Sequence, residues 1–172
     1  MIMKKRKMQM LMVSAIFHAL LLTTMYMFQG AIFPYLRLNG LVPLLLPIVS
    51  TGVAVNQGRV AGGISGLVAG ILCDISFNEP VGLFMMILTL AGLVVGFLAD
   101  TVLTRGFVSY LCCCAAVLSF AAIVQLFPLL LFVRVAPAPL FSTALWQTVY
   151  SLAFAFPIWF FVRSPNLMMA DV

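Results

Sequence analysis

The chain has 172 residues, of which 65% are hydrophobic and only 8% charged, with a formal net charge of +5 and a mean hydropathy of +1.22. A soluble domain carries roughly 45–50% apolar and about 25% charged residues, so this composition excludes a water-soluble globular protein and makes lipid the solvent. A helix crossing the ~30 Å hydrocarbon core needs about 20 apolar residues, and six such spans use almost the whole chain, leaving no soluble domain of any size.

The first span is read over 8–28, behind the basic run Lys4, Lys5, Arg6 and Lys7. This opening also resembles a signal peptide, but its apolar run is long for one and "FQGAIF" lacks a small-residue cleavage site. It is kept as a span; cleavage would leave five. The stretch "QGAIFPYLR" (29–37) is placed along the outer interface, with Phe33 and Tyr35 at headgroup level.

The second span, 38–55, contains Pro43 and Pro47, each expected to remove a backbone donor and kink the helix. The turn "NQGR" leads into the third span, 60–77. The loop "SFNEPVG" then leads into a fourth, 80–103, beginning near Pro80, since proline suits a first helical position. After "DTVLTRG" come a fifth span, 107–133, with Pro128, and a sixth, 140–162, with Pro157. The fold class expected is therefore an all-α integral membrane protein, a single domain of about six transmembrane helices.

Charge fixes the expected orientation. With a cytoplasmic N-terminus, Lys4, Lys5, Arg6, Lys7, Arg59, Arg105 and Arg163 lie inside and only Arg37 and Arg134 outside, as the positive-inside rule requires. Both termini are then cytoplasmic. The Lys4–Lys7 cluster also suits anionic lipid. No aromatic-interleaved basic face accompanies these charges, so nucleic-acid binding is not indicated.

The third and fourth spans share a motif. "GLVAGILCD" (66–74) returns 26 positions later as "GLVVGFLAD" (92–100), with six of nine letters identical. Gly62, Gly66, Gly70 and Asp74 step by four, as do Gly92, Gly96 and Asp100. At 3.6 residues per turn each row winds slowly along one helix face, and small residues at this spacing let backbones approach closely in lipid. The flanks of the two copies do not match, so the recurrence reads as shared packing grammar. The third and fourth helices packing on their neighbours or each other is one reading; a partner's helix docking on the glycines is the other. Antiparallel spans put the two acids at opposite membrane faces. Asp74 is expected to pair with Arg37 or Arg134, and Asp100 with Arg59, Arg105 or Arg163.

Residues for chemistry are sparse. The single histidine, His18, has no carboxylate or nucleophile on its face and reads as structural. Cys112, Cys113 and Cys114 are consecutive, so a helix points them about 100° apart and they cannot converge on one metal. With Cys73 they read as small apolar fillers, with no disulfide implied. "GRVAGG" lacks the lysine and strand of a nucleotide loop. No cofactor, metal or enzymatic activity is expected.

The stretch 43–100 resembles the core of the MreD family of rod shape-determining membrane proteins. The matching elements are Pro43, the glycine-rich third helix ending in Gly70-x-x-x-Asp74, a short loop followed by Gly82, and a helix with Gly92 and Gly96. Asn78, Glu79 and the cysteine triplet depart from the family pattern. The resemblance implies a non-enzymatic member of the bacterial cell-elongation machinery. It implies association with an MreC-like bitopic protein and, through it, with a RodA-type glycosyltransferase and a transpeptidase above cytoplasmic MreB filaments, supporting peptidoglycan synthesis. On this basis an MreC helix would lie against a glycine-lined face. The family resembles in fold the substrate-binding subunits of energy-coupling-factor vitamin transporters. Such a subunit is the alternative reading, with Ala15 and Ala19 four apart on the first helix and few polar groups besides Asp74, Ser76 and Asn78 to hold a vitamin.

Overall fold

A computed structural model describes the backbone over 2–31, 43–77, 82–103, 106–132 and 137–170, and side-chain surroundings over 15–31, 43–76, 82–103, 106–124, 142 and 145–162. The described residues form six helices: α1 (Ile2–Ala31), α2 (Leu45–Gln57), α3 (Arg59–Phe77), α4 (Leu83–Thr101), α5 (Phe107–Phe132) and α6 (Pro137–Ala170). The expected all-α membrane bundle is what is found. Windows in α3, α4, α5 and α6 are long and apolar enough to cross a membrane.

The helix ends depart from the apolar spans for physical reasons. The first helix begins at Ile2 rather than near residue 8, because Lys, Arg, Met and Gln propagate a helix as well as apolar residues do. The last continues past Val162 to Ala170, since hydropathy marks where lipid contact stops, not where backbone hydrogen bonding stops.

The second helix is the larger correction. It starts at Leu45, not within the expected 38–44, and its 13 residues rise only about 20 Å, less than the ~30 Å hydrocarbon core. It is shielded by protein instead. Every residue from Leu45 to Asn56 is buried, and α2 packs against all five other helices. Pro43 precedes the helix and Pro47 lies in its first turn, where no intrahelical donor is missed, so neither kinks it. The Pro47 carbonyl accepts from Ser50 Oγ at 3.0 Å and Thr51 Oγ1 at 2.7 Å.

A helix end enclosed in a membrane bundle cannot draw on water for its orphan amides. Side chains of two other helices serve the start of α2. Leu44 N–H donates to Ser151 Oγ on α6 at 3.0 Å, and Leu45 N–H donates to Gln29 Oε1 on α1 at 3.3 Å. At the other end, Gln57 Nε2 meets His18 Nδ1 at 3.2 Å. Histidine 18 is buried, which fits its structural reading.

Around α2 the core is aromatic on one side. The Tyr110 ring of α5 stacks on Trp159 of α6 at 4.8 Å, and its hydroxyl reaches the Ile48 carbonyl at 3.4 Å. The Tyr110 edge lies 3.1 Å from where a Cβ at Gly52 would stand, so this glycine lets α5 approach α2. Outward residues are apolar: Ile64 is 63% exposed, Met86 76% and Phe160 62%. Polar groups inside and large hydrophobes outside is the arrangement a lipid solvent selects.

Candidate functional site: the α3–α4 hairpin

The glycine rows face each other. A Cβ built on Gly62 would stand less than 3.0 Å from the Gly92 carbonyl oxygen, and one on Gly92 equally close to the Gly62 carbonyl oxygen. The same holds for Gly66 against the Leu88 carbonyl, Gly70 against Met85 Cα, and Gly96 against Arg59 Cα. All of these neighbours are backbone atoms, which cannot swing aside as a side chain can. The rows are therefore where α3 and α4 run backbone to backbone, an approach only glycine permits.

These contacts obey one rule. Exchanging each residue for its counterpart 26 positions away turns the contact of Gly66 with Leu88 into that of Gly92 with Gly62, and the contact of Gly70 with Met85 into that of Gly96 with Arg59. The hairpin thus has a local two-fold relation between antiparallel helices, and the recurring nonapeptide is its sequence trace.

The aspartates follow the same rule. The Asp74 carboxylate, in the last turn of α3, accepts the backbone N–H groups of Gly82 at 2.9 Å, Phe84 at 2.9 Å and Met85 at 3.2 Å. These amides open α4. Asp100, in the last turn of α4, accepts the N–H of Arg59 at 3.2 Å, which opens α3. Arg59 and Met85 are again 26 positions apart. Each helix ends in a carboxylate that caps the start of the other.

Local sequence makes this arrangement necessary. An N-cap side chain normally accepts from the second or third amide of its own helix, but α4 is preceded by Gly82 and α3 by Gly58, which have no side chain to offer. Both adopt positive φ, +101° at Gly82 and +85° at Gly58. Glycine at 58 also leaves room for a carboxylate, since a Cβ there would meet Asp100 Oδ1 at 2.5 Å. A negative charge at each helix start is further favoured by the helix dipole. At Gly82 a Cβ would meet nothing within 4 Å, so Gly82→Ala costs only backbone strain. A loss of about 1–2 kcal/mol is expected, measured as the thermal midpoint of the purified protein.

The sequence-level site residues are thus divided. Gly62, Gly66, Gly70, Gly92 and Gly96 are brought into one contact with Asp74 and Asp100 at its two ends, and Gly82 lies at the Asp74 end. Of the arginines expected to pair with the acids, Arg59 meets Asp100 through its backbone amide. Arg37, Arg105 and Arg134, with Asn78, Glu79 and Pro80, lie outside the described residues, as does the side chain of Arg163. Asp74 is buried and its oxygens are taken up by amides. The reading by charge alone passed over these amides because backbone donors carry no letter. The usable signal was an acid a short loop upstream of a helix that starts on glycine.

Gln29 and Ser151, which cap α2, were also missed; their partner amides belong to a helix start that hydropathy placed elsewhere. Among the described residues no group of three or more His, Cys, Asp or Glu side chains could hold a metal ion. Cys73, Cys113 and Cys114 are buried and Cys112 is exposed, all four free.

What these helices define is an all-α membrane protein organised on a glycine-packed, mutually capped hairpin. A family model described as rod shape-determining protein MreD matches residues 4–168. The chain belongs to the MreD family. No curated protein and no solved structure matches it.

Proposed function

We propose that the chain is a non-enzymatic, multi-pass scaffold of the bacterial plasma membrane, with both termini cytoplasmic, that docks an MreC-like bitopic protein and through it supports a RodA-type glycosyltransferase and transpeptidase. The observation that carries this reading is the family match over residues 4–168, which supports a role in rod shape determination. The apolar composition and the excess of basic residues on one side of the expected topology agree with it.

The glycine rows are filled by α3 and α4 themselves. A partner's single helix therefore has to use an outward apolar face of the bundle, where side chains rather than backbones meet. Scaffolding then consists of presenting a rigid face in the bilayer plane, and the hairpin supplies that rigidity.

Crosslinking in native membranes followed by capture of the tagged chain and mass spectrometry tests the reading. Recovery of an MreC-like coiled-coil protein with a RodA-type synthase is the expected result. Recovery instead of a membrane coupling subunit with paired ATPases would overturn it in favour of a nutrient-binding role.

A further inference from the structure

The start of α2 holds a donor that no group among the described residues answers. Leu45 N–H donates to Gln29 Oε1, and only the oxygen end of the carboxamide can accept that bond, so the amide orientation is fixed. Among the described residues Gln29 Nε2, with two N–H groups, has no hydrogen-bond partner although the residue is only 4% exposed. Buried donors are almost always satisfied, and within a bilayer no solvent repairs the deficit.

The surroundings specify what is missing. The amide rests on the first turn of α2, the positive end of a helix of 13 residues. The described groups bonded there, Leu44, Leu45 and the Ser151 hydroxyl, are neutral, and that hydroxyl already donates to the Gln147 carbonyl at 2.7 Å. Two unanswered amide hydrogens beside the positive end of a helix call for an acceptor that is small and negative.

We propose that Gln29 Nε2, beside the positive end of α2, binds one anionic oxygen, phosphoryl or carboxylate, supplied by an anionic lipid headgroup or by a free anion. The scaffold role does not require this site, and the two stand or fall separately.

Gln29→Glu separates binding from capping. It keeps an oxygen for Leu45 N–H, so the cap on α2 survives, but it replaces the donor with a second oxygen that repels an anion. The full-length protein is placed in phosphatidylcholine nanodiscs with and without phosphatidylglycerol, and in detergent with and without inorganic phosphate, and its thermal midpoint is read. Phosphatidylglycerol is expected to raise the midpoint of the wild type, with apparent affinity weakened about tenfold or more in Gln29→Glu. Each protein's midpoint in phosphatidylcholine alone serves as its own baseline, and only the rise above that baseline is compared. A rise produced by inorganic phosphate alone, and lost in the variant, supports the site with a free anion as its source. No rise with either probe, as for a buried water only, or equal rises in wild type and variant, would overturn the proposal.

Discussion

Replacing Asp74 by alanine is expected to lower stability by about 3 kcal/mol, a fall of roughly 6–12 °C in thermal midpoint for a chain of this size. The carboxylate accepts three amides at the start of α4, and alanine leaves all three without an acceptor. Asn keeps one oxygen, about the same shape and no charge, so Asp74→Asn should cost about 1 kcal/mol. The measurement is thermal unfolding of both purified variants in one detergent. Equal losses would show that a single amide oxygen cannot stand in for the carboxylate at this helix start.

The second large effect concerns the glycine contact. Gly92→Ala forces a methyl group onto the Gly62 carbonyl, a backbone atom, and overpacking of this kind is expected to cost about 2–3 kcal/mol. Gly70→Leu sets a whole side chain against the Met85 backbone and should abolish accumulation of folded protein, because α3 and α4 have to separate along their length. Size-exclusion chromatography of the extracted protein reads both outcomes. Leu90 is the control: it is 60% exposed on the outward side of α4, and Leu90→Val should change stability by about 0.5 kcal/mol or less. A folded and fully stable Gly70→Leu protein would mean that the glycine rows are not a backbone contact.

How far the letters led can be argued from these residues. The glycine rows were visible because a spacing of four in a membrane helix has one physical use, close approach, and the sequence repeats it 26 positions on. Which surface the rows approach was not visible. An intramolecular neighbour and a partner's helix leave the same pattern, and only coordinates distinguish them. The aspartates were legible as helix-end acids, but the pairing rule applied to them considered cations alone. A helix N-terminus is also an electropositive partner, and Gly58 and Gly82 mark two such ends that lack a cap of their own.

The length of α2 was illegible for another reason. Hydropathy sums apolar residues without asking whether lipid or protein surrounds them, so a sheltered helix of 13 residues and its flanking apolar connection read as one span. Gln29 and Ser151 became meaningful only once α2 was known to start at Leu45. Polar residues near helix ends in an apolar chain are worth matching to the orphan amides of other helices before they are assigned to solvent.

Mutual capping also has a consequence for how the chain is made. During synthesis α3 emerges first, with the Asp74 carboxylate waiting for amides that do not exist until Met85 has been added, while the Arg59 amide waits for Asp100. The start of α3 therefore leaves the ribosome without its cap, whereas the start of α4 finds Asp74 already made. The hairpin becomes a finished object only after the hundredth residue, which makes α3 and α4 one unit of insertion and of quality control rather than two.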